Sequence, residues 1–394
     1  MKGATLLVLQ GGGPTAVVNA TLAGVIERAR ASGFRKILGA RRGFAGLLVG
    51  ETVDLTHLPP SDLDRLARTP GAALGTSRDR LDDQTVHRAL AVLDRHEVDA
   101  VIAIGGNDSA ATAQVLLARA QDTGRRLRLI HVPKTIDNDL PENDHTPGYP
   151  SAARFLALAA RSLAIDCWSV RELYAFTFLE VQGRNAGWLA AATALAMPKS
   201  WHPHLVIVLP ECPPPSRDTL VEELIAACET RGWLLVVLPE TLRDRRGNPL
   251  GGPAARWVDP HGHPYPPSPA EALAELVTTA SGKRTRIVRP NALARSFLLA
   301  TSERDREEAR AIGHAAVDRL AAGPDAVSIA LERLADEPYR IAFRPVPLES
   351  VAGRERPVPP DFIAADGRGV TDAFFRYARP LVEPLDAEES VLVL

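Results

Sequence analysis

Thr5–Ser32, TLLVLQGGGPTAVVNATLAGVIERARAS, passes from an unbroken apolar run through three glycines into a segment with helical apolar spacing. Strand, tight loop and helix in that order open a βαβ unit. The same grammar continues along the chain: KILGA (Lys36–Ala40), DAVIAIGG (Asp99–Gly106), LRLIHVP (Leu127–Pro133), YAFTFLEV (Tyr174–Val181), HLVIVLPE (His204–Glu211) and WLLVVLPE (Trp233–Glu240). These runs are near-continuous rather than alternating, as parallel strands covered on both faces require, and stretches such as DSAATAQVLLARAQDTG between them carry helical spacing. The expectation is a doubly wound α/β protein with mostly parallel sheets.

At 394 residues two lobes are expected, each with enough apolar residue for its own core. A formal net charge of −2 and 45% hydrophobic residues exclude a basic nucleic-acid surface and an acidic disordered chain. The apolar amino terminus is too short to span a bilayer and shows no cleavage-site pattern, so it reads as the buried first strand of a cytoplasmic protein, with no membrane partner. Cys167, Cys212 and Cys228 form no CxxC pair and support neither a zinc site nor a disulfide framework. Lysine is rare: Lys2, Lys36, Lys134, Lys199 and Lys283 stand against 46 Lys plus Arg in all. The Pro- and Gly-rich stretch Arg243–Pro267 reads as an irregular insert or connection between lobes, and lobe transitions are expected near Leu140 and within it.

In doubly wound sheets ligands sit beyond the carboxyl ends of strands, which directs attention to four loops: QGGGPT, GGNDS, PKTIDND and VQGRNAG. Gly11, Gly12 and Gly13 let bare backbone N–H groups converge on an anion at a helix amino terminus; the same triplet also serves a plain strand-to-helix turn. The loop is neither a Walker A loop nor GxGxxG. Gly105 and Gly106 repeat the arrangement, with Asn107, Asp108 and Ser109 as oxygen ligands or simply as a helix cap. Arg78 can add a guanidinium there.

In PKTIDNDL (Pro133–Leu140), Asp137 and Asp139 stand two residues apart on one side of an extended loop, with Thr135 beside them and Asn138 between. One carboxylate can accept a hydroxyl proton while the other helps hold a metal ion, which is what phosphoryl transfer asks of a protein beyond positioning. Lys134 supplies a compact charge for phosphate oxygens. An Asx-rich turn bonding its own backbone is the alternative for DND alone.

Taken together, QGGGPTAVVNA, GTSR, GGNDS, PKTIDNDL, HTPGYPSAA, EVQGRNAGWLA, two LPE strand ends and DAFFRYARPL resemble the phosphofructokinase family, in particular its pyrophosphate-dependent branch, over nearly the whole chain. The resemblance implies two Rossmann-like lobes in a phosphofructokinase-like fold, with the active site between them. It implies a donor lobe at residues 1–140 completed by part of 245–305, and an acceptor lobe at 141–244 completed by part of 306–394. The implied reaction is Mg²⁺-dependent, reversible transfer of a phosphoryl group to the 1-hydroxyl of fructose 6-phosphate, in a homo-oligomer (dimer or tetramer).

By matching positions, Asp137 is the implied general base and Thr135 and Asp139 its companions. Gly12 and Gly13 approach the transferred phosphate, with Arg78, Asn107, Asp108, Ser109 and Lys134 around the donor. Arg184 stabilises charge or contacts substrate beside Gln182 and Gly183, Glu240 bonds the sugar hydroxyls, and Arg286 and Arg295 face the sugar phosphate. Asn107, Asp108 and Asp139 are the implied metal ligands. ATP-using relatives carry glycine where this chain has Asp108 and Lys134, so pyrophosphate is the implied donor.

The chain departs from the family pattern at Gln182 (usually methionine), Ala294 (glutamine), Ala175 (an arginine in shorter members), Pro150 (glycine) and Asn107 (an acidic ligand). Most of these touch the acceptor side, leaving another sugar, sugar phosphate or polyol as an alternative acceptor. An ATP-dependent kinase, an NAD-kinase-like enzyme with its GGDG-like loop, and a non-catalytic regulatory homologue are the rival readings. NAD kinase leaves Lys134 and the GRNAG loop unexplained, and the third is opposed by intact Asp137, Gly12 and Arg184.

Overall fold

The computed structural model describes residues 1–252, 257–258, 264–265, 267–322 and 326–385. In chain order the strands are β1 (Thr5–Gln10), β2 (Lys36–Ala40), β3 (Thr52–Asp54), β4 (Ala100–Gly105), β5 (Arg128–Pro133), β6 (Phe176–Val181), β7 (Leu205–Ile207), β8 (Leu234–Pro239), β9 (Trp257–Val258), β10 (Pro264–Tyr265), β11 (Thr285–Val288), β12 (Ala326–Asp336) and β13 (Tyr339–Pro347). The helices are α1 (Val18–Ala31), α2 (Gly43–Val49), α3 (Pro60–Arg68), α4 (Val86–Arg95), α5 (Asn107–Asp122), α6 (Tyr149–Ser169), α7 (Trp188–Ala192), α8 (Arg217–Arg231), α9 (Pro269–Ser281), α10 (Leu293–Ser296), α11 (Glu303–Ala322) and α12 (Asp372–Val382).

The first compact unit comprises Met1–Ala152 and Arg295–Arg356. Its sheet runs β13-β12-β5-β4-β1-β2-β3 among the described residues. The central strands β2, β1, β4, β5 and β12 are parallel, and antiparallel pairs close both edges. The unbroken apolar run of β1 follows from burial on two faces. Leu6 and Val8 pack with Leu22 and Ile26 of α1 and with Ile312 and Val317 of α11, whereas Leu7 and Leu9 pack with Phe44, Leu93 and Leu116. Helices α1 and α11 cross at two glycines: a methyl group on Gly24 would stand 2.1 Å from the carbonyl oxygen of Arg310, and one on Gly313 2.4 Å from that of Thr21.

The second unit comprises Ala153–Ala294 and the chain from Pro357 onward. Its parallel sheet runs β11-β6-β8-β7. Phe176, Phe178, Val236 and Leu238 pack against Leu220 and Leu224 of α8 and Leu273 and Val277 of α9. Both helices are sharply started: the Ser216 hydroxyl accepts from the Thr219 N–H, and the Ser268 hydroxyl from the Glu271 N–H, with Pro269 in the first turn.

The division of the chain differs from the expected one. The first transition lies at Ala152, inside α6, rather than near Leu140; 295–305 lie in the first unit and the chain from Pro357 in the second, as expected of parts of 245–305 and 306–394, but 245–294 lie in the second unit and 306–356 in the first. The reason is strand pairing. β12 adds to β5 (Ala326↔Leu129) and draws its hairpin into the first sheet, whereas β11 adds to β6 (Arg286↔Thr177). Of the insert, 253–256, 259–263 and 266 lie outside the described residues; before them a turn closes where Asp244 accepts from the N–H groups of Arg246 and Asn248.

Candidate functional site

In the first unit three loops converge from the carboxyl ends of β1, β4 and β5. The Gly11 N–H donates to the Ile104 carbonyl (2.8 Å) and the Gly12 N–H to that of Ser77 (3.0 Å), while the Thr76 hydroxyl donates to the Gly12 carbonyl (2.6 Å). The Lys134 N–H donates to the Gly105 carbonyl at 2.9 Å. Its ammonium donates to the Gly13 carbonyl at 2.7 Å, and the side chain is buried, 3% exposed. Gly12, at φ +73°, has no alternative here: a methyl group would stand 3.2 Å from the Lys134 Nζ. The Arg295 guanidinium lies on the other side of the loop, its Cζ 3.6 Å from where a side chain on Gly13 would begin.

Burial in this enclave pushes the Lys134 ammonium down to about 8 from 10.5; Arg295 and Arg78 add to the effect, and Asp137 and Asp139 oppose it. The cause is desolvation of a charge with cations on one side and carboxylates on the other. A lysine poised this way holds its proton at neutral pH and offers it to an anion that displaces little water.

Burial alternates along the loop that follows β5. Lys134, Ile136, Asn138 and Leu140 are buried, while Thr135, Asp137 and Asp139 are partly exposed on the other side. The Asp137 N–H donates to the Thr135 hydroxyl (3.1 Å), and the Thr135 carbonyl accepts from the Thr146 hydroxyl (3.0 Å). Asn138 sits at φ +58°, in the left-handed region, with its side-chain oxygen accepting from the Thr146 N–H at 3.0 Å. Two carboxylates therefore flank one strained, buried asparagine.

Asn107 and Asp108 open α5. The Asn107 side-chain oxygen accepts from the Asp108 N–H (2.8 Å), and Asp108 forms an ion pair with Arg80 (2.8 Å) in which both side chains are more than half exposed. Ser109 is buried against Gly11 and Gly105. Among the described residues no three His, Cys, Asp or Glu side chains gather as a protein metal cage. The donor set of Asn107, Asp108 and Asp139 suits a cation that brings most of its oxygen ligands with it, as Mg²⁺ does on polyphosphates.

In the second unit the carboxyl ends of β6 and β8 lie side by side, and the Glu240 N–H donates to the Val181 carbonyl at 2.9 Å. Gln182 is buried, and the chain then turns through Gly183 (φ +124°) and Arg184 (φ +47°), leaving Arg184 exposed ahead of α7. Arg286 lies toward the other end of this sheet, paired with Thr177. Its guanidinium donates to the Thr177 hydroxyl (2.7 Å), is paired with Asp166 and packs on the Tyr174 ring. Arg286 and Arg295, expected to share one phosphate, thus belong to different units, and Arg295 stands with the donor loops.

Other charged groups meet partners that no sequence spacing predicts. Arg289 follows β11 and pairs with Glu180 (2.9 Å) and Glu271 (2.9 Å). Arg356 bonds the backbone of the aspartate loop. Glu211 accepts from the N–H groups of Gly187 (2.9 Å) and Val358 (2.8 Å), and burial pushes its carboxyl upward.

Known proteins resemble this chain over most of its length. A family model described as Phosphofructokinase matches residues 5–320. The pyrophosphate–fructose 6-phosphate 1-phosphotransferase of Xanthomonas campestris pv. campestris is 38% identical over 389 residues, covering 97% of this chain and 92% of that protein. The protein of the same name from Rhodospirillum rubrum is 37% identical over 390 residues, covering 96% and 94%. The crystal structure of a pyrophosphate-dependent phosphofructokinase from Nitrosospira multiformis matches with a TM-score of 0.86 at 30% identity, covering 100% of this chain and 95% of that one.

Proposed function

The chain belongs to the phosphofructokinase family, and we propose that it moves a phosphoryl group from pyrophosphate to the 1-hydroxyl of fructose 6-phosphate. The products are fructose 1,6-bisphosphate and phosphate. The observation that carries the donor is the buried Lys134 ammonium on the Gly13 carbonyl, in contact range of Gly12. It puts a charge inside the glycine loop, where a lone phosphate chain can meet it. The names of the relatives support the same donor.

In this reading the bond between the terminal phosphorus and the bridging oxygen of pyrophosphate breaks as the C1 oxygen of the sugar bonds to that phosphorus. The hydroxyl proton goes to the Asp137 carboxylate, and inorganic phosphate leaves. Thr135 and Asp139 orient that carboxylate. Gly12, without a side chain, lets the phosphoryl group approach, and the Gly13 N–H, Lys134, Arg78 and Arg295 spread the charge of its oxygens. Asn107, Asp108 and Asp139 would hold Mg²⁺ arriving with pyrophosphate; when bound, it neutralises phosphate oxygens. Arg184, Gln182, Gly183 and Glu240, at the carboxyl ends of β6 and β8, recognise the acceptor. In this reading the reaction runs in both directions, and it proceeds in a cytoplasmic homo-oligomer. Among the described residues no helix is long and apolar enough to cross a membrane.

The test is Mg²⁺-dependent phosphorylation of fructose 6-phosphate by the purified protein, with pyrophosphate and ATP compared side by side and the reverse direction run with phosphate. Turnover with pyrophosphate alone supports the reading. Turnover with ATP alone refutes the donor assignment, and pyrophosphate binding without turnover moves the acceptor to another sugar, sugar phosphate or polyol.

A further inference from the structure

Arg356, 218 residues away in sequence, grips the loop that carries the two aspartates. Its Nε donates to the carbonyl oxygen of Asn138 at 3.2 Å and one terminal nitrogen to the same oxygen at 2.9 Å. The other terminal nitrogen donates to the carbonyls of Asn143 (2.6 Å) and Asp144 (2.8 Å). The Arg356 backbone N–H donates to the Asp139 carbonyl at 2.6 Å. Just before it, the Gly353 N–H reaches the Asn107 carbonyl and the Asn107 side-chain amide reaches the Arg354 carbonyl, each at 3.4 Å. One short segment thus lies against both the donor loop and the aspartate loop.

We infer that Arg356 is the positioning residue that fixes Asp137 and Asp139 for phosphoryl transfer. The inference rests on the reading of Asp137 as the base. Asn138 lies between the two carboxylates in the left-handed region, a conformation that persists only where its surroundings over-determine it. The peptide oxygen that reports its ψ is the one that Arg356 holds from two nitrogens. The fork also ties this oxygen to the carbonyls of Asn143 and Asp144. That segment continues directly into Thr146, whose N–H holds the Asn138 side chain from the other side. Only a planar guanidinium serves three converging carbonyls; a lysine ammonium offers a point charge without the fork. Remove the fork and three carbonyl oxygens lose a shared donor, freeing the peptide between the aspartates to rotate. The segment RERPVPP, read as sequence, offers only a polar connection.

The test compares wild type with Arg356→Lys and Arg356→Ala in the full chain, using pyrophosphate and fructose 6-phosphate, with Asp137→Asn in parallel. Arg356→Lys is expected to lose about 100-fold in kcat, the scale of a 1 Å misplacement. Both KM values are expected to stay within about threefold, because Lys134, Arg78, Arg184 and Glu240, which meet the substrates in this reading, are untouched. Guanidinium ion at about 50 mM is expected to restore activity to Arg356→Ala by roughly tenfold or more, while ammonium at equal ionic strength does not, since only the former is a fork. Arg356→Lys within about twofold of wild-type kcat overturns the inference. So does rescue by ammonium as good as by guanidinium. Failure of both variants to fold also overturns it, because Arg356 would then serve the fold alone. If Asp137→Asn retains full activity, the assignment of the base fails; if Asp137→Asn is inactive while Arg356→Lys is fully active, only the role of Arg356 fails.

Discussion

The ammonium of Lys134 donates to the carbonyl oxygen of Gly13 at 2.7 Å, joining two loops 121 residues apart in sequence. A buried lysine that uses a proton on a backbone carbonyl keeps its remaining donors for an incoming anion. Replacing it with methionine keeps the volume and removes the charge. Lys134→Met is expected to weaken pyrophosphate binding by about 10- to 100-fold, the range for losing a charge-assisted hydrogen bond. It is also expected to raise the melting temperature, because the native state holds this ammonium at a cost. Calorimetric titration with pyrophosphate and a thermal melt check the two halves independently.

The same lysine sets an alkaline limit. Its ordinary value of 10.5 falls to about 8, chiefly through burial and then Arg295 and Arg78. Below about 8 the ammonium carries its proton and meets pyrophosphate as a cation; above, it meets it neutral. The free-enzyme profile, kcat/KM for pyrophosphate against pH, is expected to fall on the alkaline side with a midpoint near 8. The limb is expected to disappear in Lys134→Met, leaving a uniformly low profile.

Asp137→Asn removes the proton acceptor and keeps the shape. Turnover is expected to fall by about 10²- to 10⁴-fold, the usual contribution of a positioned base, with pyrophosphate affinity unchanged. Single-turnover kinetics with equilibrium binding separates the two effects.

His145 lies between Asp144 (2.8 Å) and Glu308 (2.7 Å), and Tyr339 donates to the other Glu308 oxygen (2.8 Å). Burial opposes the imidazolium, but the two carboxylates prevail and raise it to about 9 from 6.5. Because the folded value lies above the unfolded one, its stabilising contribution is complete below 6.5 and disappears as pH rises through about 9. Urea midpoints of wild type and His145→Gln are expected to differ most near pH 6 and to converge by about pH 10. A gap that widens with pH would contradict this.

Helices α1 and α11 approach so closely at Gly24 that even alanine has no room. Gly24→Ala is expected to destabilise by roughly 1–3 kcal/mol, the cost of overpacking, seen as a lower denaturant midpoint with unchanged slope.

Much of this was legible in sequence where local pattern and tertiary placement agree. TLLVLQ, KILGA and LRLIHVP are strands because both sheet faces are covered, so period and burial coincide. HLVIVLPE is shorter than read, ending at Ile207, although the Val208 N–H still bonds the Val237 carbonyl. The β12–β13 hairpin went unread because charged residues such as Glu332, Arg333 and Arg344 interrupt its apolar positions at the sheet edge. The assignment of 306–356 to the second lobe follows from the same omission, since that hairpin is what pulls residues 326–347 into the first unit.

In the candidate site Thr135, Asp137 and Asp139 show the alternating exposure that their spacing predicts, but the loop is not extended as expected: it turns through Asn138 at φ +58°. Partners remote in sequence gave no such signal. Arg356 meets Asn138 only because the chain returns to the first unit after β11, and Arg286 finds Asp166 and Thr177 through strand pairing that no spacing rule encodes.

The central claim is transfer from pyrophosphate to the sugar, and phosphorus NMR of one reaction tests it directly. Purified protein is mixed with Mg²⁺, pyrophosphate and fructose 6-phosphate. The account predicts that the pyrophosphate signal falls while orthophosphate and a new sugar 1-phosphate signal rise in equal amounts. Pyrophosphate left intact, or consumed to orthophosphate with no sugar 1-phosphate formed, would contradict it.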